Sequence, residues 1–103
     1  MKDKTNYCYN RARTYLYEAQ RGIEFVMSGD ENRGELILNT LIRVGKAEAR
    51  NEVGIKEYNE MLEKINTYAV EDHDLIDKLV RIRNCSRNYL NHANLKDFWI
   101  NCG

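Results

Sequence analysis

Cys8-Tyr9-Asn10-Arg11-Ala12-Arg13-Thr14-Tyr15-Leu16-Tyr17-Glu18-Ala19-Gln20-Arg21-Gly22-Ile23-Glu24-Phe25-Val26 carries the pattern that decides the fold class. Within it Cys8, Ala12, Tyr15, Ala19, Ile23 and Val26 recur at spacings of 4, 3, 4, 4 and 3, which sets them on one side of a helix. A first helix is expected from about Lys4 to Met27. Ser28-Gly29-Asp30 follows as a stop and a start, because Gly29 can take a positive φ and Ser28 or Asp30 can cap what comes next.

The same period runs on through the chain. Leu38, Leu41, Ile42 and Val44 predict a second helix ending near Arg50, and Gly54 marks a boundary. Ile55, Tyr58, Met61, Leu62, Ile65 and Tyr68 predict a third. Glu71-Asp72-His73-Asp74 reads as the start of a fourth, whose inner face is Leu75, Ile76, Leu79, Ile82 and Ser86. With no proline, six glycines and 31% charged residues, the chain favours long helices over strands and turns. The expectation is one all-α domain over residues 1–103, an antiparallel four-helix bundle with short connections. The polar residues Asn84, Ser86, Arg87, Asn88 and Asn91 predict a break in the fourth helix.

Several function classes drop out. No run is long and apolar enough to span a bilayer, and Met1 to Asn6 lack the apolar core of a signal peptide, so a cytoplasmic protein with no membrane partner is expected. Cys8, Cys85 and Cys102 form no metal-binding or disulfide spacing; Cys8 and Cys85 read as core residues. His73 stands among Glu71, Asp72 and Asp74, but neighbours on a helix diverge, so capping is favoured over coordination and neither metal nor cofactor is expected. Glycine-rich phosphate loops and nucleophile elbows are missing from the sequence.

Sixteen basic and sixteen acidic residues cancel, yet they are unevenly distributed. Lys78, Arg81, Arg83, Arg87 and Lys96 fall in a stretch without an acid, after a stretch from Glu52 to Asp77 that holds eight acids and two lysines. Two solvated faces that attract across a bundle account for such a pattern, and so does a basic surface for an anionic partner. Tyr7, Tyr9, Tyr15 and Tyr17 lie on either side of Arg11 and Arg13, an arrangement suited to a core edge or subunit contact, or to stacking on unpaired bases.

Arg87-Asn88-Tyr89-Leu90-Asn91-His92 brings together the groups that metal-free RNA cleavage requires. Histidine can move a proton near neutral pH, arginine can hold phosphate oxygens as charge builds, and asparagine can orient either without adding charge. Residues five apart differ by about 140° around a helix, so Arg87 and His92 do not share a face, whereas Asn88 and His92 do. For Arg87 and His92 to act on one phosphate, the arginine must reach around, the helix must bend, or a second copy must complete the site. The alternative use is structural, with Arg87 paired to a carboxylate of the third helix and His92 either capping the end of its helix or hydrogen-bonded in the core.

Arg-Asn-x-x-x-His resembles the signature of HEPN domains, small helical bundles that include toxin ribonucleases and RNA-cleaving domains of CRISPR-associated effectors. Arg87-Asn88-Tyr89-Leu90-Asn91-His92-Ala93 looks most like the CRISPR-associated branch, since Asn94 stands where toxin members usually carry tyrosine. From nine arginines, twelve asparagines and two histidines the pattern is expected by chance roughly 0.02 times, which makes it the most specific signal in the chain. The resemblance implies a homodimeric endoribonuclease acting on single-stranded RNA without metal. Arg87, Asn88 and His92 would be catalytic, Arg81, Arg83 and Lys96 would hold the RNA backbone, and a regulatory protein partner is possible. The rival expectation is a non-catalytic interaction or inhibitor protein that binds a protein or nucleic-acid complex through its basic C-terminal face.

Overall fold

The computed structural model describes the backbone of residues 2–51 and 54–102, and the side chains of residues 4–51 and 54–93. The described chain is helical, with α1 at Lys2–Met27, α2 at Glu31–Arg50, α3 at Lys56–Val70 and α4 at Leu75–Cys102. No helix among the described residues is long and apolar enough to cross a membrane.

The connections follow from a few residues. Gly29 adopts φ +93°, with its N–H bonded to the Val26 carbonyl at 3.1 Å and the Asp30 N–H to the Phe25 carbonyl at 2.8 Å. This pair of bonds is the Schellman closure, which only a residue tolerant of positive φ permits. Asp30 then caps α2: its carboxylate accepts from the Arg33 N–H at 3.2 Å. Asp74 does the same for α4, accepting from the Asp77 N–H at 3.0 Å, so the acidic run serves as the expected helix start.

Cross-helix contacts give the topology. Arg11, early in α1, reaches Glu48, late in α2, while Gly22 lies against Gly34. Gly45 meets Ile65 on α3, and Tyr58 on α3 meets Tyr89 on α4. Gln20 and Gly22 on α1 face Arg83 and Leu79 on α4. Each helix therefore runs antiparallel to the next, and α4 closes the ring against α1 in the broadest helix contact of the bundle. The core takes Cys8, Ala12, Tyr15, Ala19 and Ile23 from α1, as the period requires, with Leu38, Leu41, Tyr58, Leu62, Ile65, Leu79 and Ile82 from the other helices. At Gly34 a Cβ would collide with Val26, so glycine lets α1 and α2 approach there.

One expectation fails. The polar run does not break α4, which continues from Leu75 to Cys102. Asn84, Arg87, Asn88, Asn91 and His92 all point to water and need no desolvation, while Tyr89 and Leu90 carry the core face on past Ser86. Ser86 is buried, but its hydroxyl donates to the Ile82 carbonyl one turn back at 2.8 Å.

Candidate functional site

The exposed face of α4 is assembled by helical arithmetic. Taking Arg87 as zero, Asn91 lies at about 40°, Asn84 at about 60°, Asn88 at about 100° and His92 at about 140°. Arg87 and His92 thus stand at opposite edges of one polar strip, with three asparagines between them. No acidic residue interrupts it from Lys78 to Ala93.

The two edges have different surroundings. Arg87 borders an open groove of about 980 Å³ between α1 and α4, together with Tyr9, Arg13, Tyr17 and Asn91. Among the described residues no carboxylate binds its guanidinium, so its expected structural use, pairing with a carboxylate of the third helix, is not what the fold provides. The reason is its angle: Arg87 faces α1, not α3. His92 is the side chain that meets α3. It is half exposed, with its Nε2 3.6 Å from Glu57 Oε1, beyond hydrogen-bond length. On this side Asn88 and His92 share a smaller cleft of about 220 Å³ with Glu57, Glu60, Lys64 and Cys85. Burial pushes the Cys85 thiol up to about 11, so at neutral pH it is not a thiolate nucleophile beside the imidazole.

The basic stretch does not gather into one patch. Arg81 lies over the Tyr68 ring on the α3 side, 5.8 Å from its centroid, and the Lys78 ammonium donates to the Ala69 carbonyl at the end of α3. Arg83 turns the other way and donates to Gln20 Oε1 on α1 at 3.1 Å. The Lys96 side chain lies outside the described residues. Arg83 therefore lies on the α1 side with Arg87, and Arg81 on the α3 side with His92.

A polar cluster that the sequence did not signal lies across α1, α2 and α3. Glu48 is only 5% exposed; its Oε1 accepts from the Tyr7 hydroxyl and pairs with Arg11 Nε at 3.0 Å. Its Oε2 and the hydroxyls of Tyr15 and Tyr58 are buried close by without a donor or acceptor in bonding geometry. The hydrogen bond to Glu48 raises the Tyr7 pKa, and burial raises those of Tyr15 and Tyr58. Helical period marks α2 as amphipathic, but nothing local distinguishes Glu48 from the exposed acids.

His73 bonds Glu71 Oε2 through Nε2 at 2.7 Å beside the α4 cap. Among the described residues no three His, Cys, Asp or Glu side chains converge. The chain matches no family model, no curated protein and no solved structure.

Proposed function

We propose that the protein is a HEPN-like endoribonuclease that cuts single-stranded RNA as a homodimer. The observation that carries this reading is the exposed, acid-free strip of α4, with Arg87 unpaired among the described residues at one edge and Asn88 and His92 toward the other. Within one chain these edges stand about 140° apart, and α4 runs as one unbroken helix through both. A second copy resolves this. A two-fold axis lying in the plane of the strip, perpendicular to the line from Arg87 to His92, lays each arginine over the histidine of the other subunit. Two equivalent sites result.

The chemistry follows from the side chains. His92 takes the proton of a ribose 2′-hydroxyl as the 2′-oxygen bonds to phosphorus, and the bond from phosphorus to the 5′-oxygen breaks as that oxygen takes a proton from water. The products are a 2′,3′-cyclic phosphate and a 5′-hydroxyl. Arg87 neutralises the charge that builds on the phosphoryl oxygens, and Asn88, one turn before His92, orients the imidazole or the phosphate. Because the nucleophile belongs to the substrate, no metal is required.

The test is cleavage of single-stranded RNA in excess EDTA by wild type, Arg87→Ala, His92→Ala and an equimolar mixture of the two variants. Each variant alone should be inactive with its fold and dimerisation intact. In the mixture half the dimers are mixed and each carries one intact site, so roughly a quarter of wild-type activity should return. A mixture that stays dead while wild type cuts would refute the shared site. Wild type that binds RNA without cutting it would favour the non-catalytic interaction protein.

A further inference from the structure

Tyrosine and arginine appear twice on α1 in the same order and spacing: Tyr7, Arg11, Tyr15 and Tyr9, Arg13, Tyr17. The two sets are offset by two residues, about 200° around the helix, and so they face opposite ways. The first set turns inward to Glu48. The second lines the groove opposite Arg87.

We infer that this groove is the path of the RNA strand, with Tyr17 as the stacking platform, the half-buried Tyr9 as part of the wall, and Arg13 and Arg87 as phosphate contacts. The inference rests on the choice of RNA as substrate made above, but not on the cleavage step. Three observations carry it. Tyr17 is 66% exposed although it sits within a groove, leaving the face of a large ring to water. Arg13, also exposed, lies one turn from Tyr17, ~6 Å of helical rise, where the phosphate beside a base stacked on that ring would pass. The charge of the groove also favours an anion: its one carboxylate, Glu18, is held by both oxygens to Arg21 NH1 at 3.0 and 2.9 Å, while no carboxylate binds Arg13 or Arg87 among the described residues.

Amide groups complete the lining. Asn10 and Asn91 present donors and acceptors to base edges, and Gln20, held by Arg83, closes one end.

The probe is a 5′-fluorescein oligouridine of about 12 nucleotides, within the usual site size of a single-strand groove. Fluorescence anisotropy with His92→Ala protein reads affinity without cleavage. Tyr17→Ala should weaken binding by on the order of 5- to 100-fold, and Tyr17→Phe should restore it, since the ring and not the hydroxyl is used. Arg13→Gln should weaken binding and lower the dependence of log affinity on log salt by about 0.7. Base-paired RNA of the same length should bind poorly. If Tyr17→Ala and Arg13→Gln both bind as the parent does, the groove assignment is overturned even where wild type cuts RNA. If they lose affinity while wild type never cuts, the groove stands and the nuclease reading falls.

Discussion

The two Tyr-Arg-Tyr stripes of α1 have the same composition and opposite fates. Tyr7, Arg11 and Tyr15 are drawn into a cluster around Glu48, and Tyr15 is 1% exposed. Arg13 and Tyr17 stand open to water with Tyr9 half-buried beside them, and of the first stripe only Tyr7, at its outer end, stays exposed. The difference lies in what α2 and α4 set against them: a buried carboxylate in one case, a groove with a second arginine in the other. Residue type alone thus says little about role; the partner across the helix decides whether an arginine holds the fold or remains available to a ligand.

The largest expected effect that tests this contrast is on stability. Tyr15→Ala should cost about 3–5 kcal/mol, because it empties a fully buried site, whereas Tyr17→Ala should stay within about 0.5 kcal/mol. Urea unfolding followed by circular dichroism measures both, and comparable losses would erase the distinction between the stripes.

A smaller effect is expected at the carboxylate. Glu48→Gln should cost about 1–3 kcal/mol, since Arg11 keeps some access to water after losing its partner, while Glu18→Gln should cost well under about 1 kcal/mol. The same unfolding experiment at low and high salt sharpens the comparison: the Glu18 contribution should vanish with salt and the Glu48 contribution should persist.

The smallest effect is a tilt with pH. Tyr7, Tyr15 and Tyr58 hold their protons more tightly in the fold than in the open chain, and burial pushes the Cys8 and Cys85 thiols up to about 11. As pH rises past the ordinary thiol and phenol values, about 9 to 10, the unfolded chain releases protons that the folded one retains. Stability should be level below that window and fall above it, read as a declining urea midpoint between about pH 8 and 11. A flat midpoint would mean that these groups are open to water.

Much of the bundle was legible in the sequence because the core of each helix repeats at a local spacing. Gly29 and Asp30 were legible for the same reason: turns and caps are made by neighbours. The break expected in α4 failed because polar residues were weighed without their direction; Asn84, Arg87, Asn88 and Asn91 share the outer side, where they cost the core nothing. The separation of Arg87 from His92 could be read from 100° per residue, but not what each would face. That Arg87 borders α1 while His92 approaches Glu57 depends on how helices distant in sequence pack. The bond between Arg11 and Glu48 was illegible for that same reason, since many acids of the chain share its amphipathic pattern.

Asp30 has a consequence beyond its own turn. One residue ends the closure of α1 with its N–H and opens α2 with its carboxylate, so the connection contains no slack. From that fixed point α2 acts as a gauge, its 18 residues of rise, ~27 Å, delivering Glu48 at a set height and phase. An extra residue between Asp30 and Glu48 would turn Glu48 by about 100° away from Tyr7 and Arg11. The length of α2 is therefore as much a part of the polar cluster as the side chains that compose it.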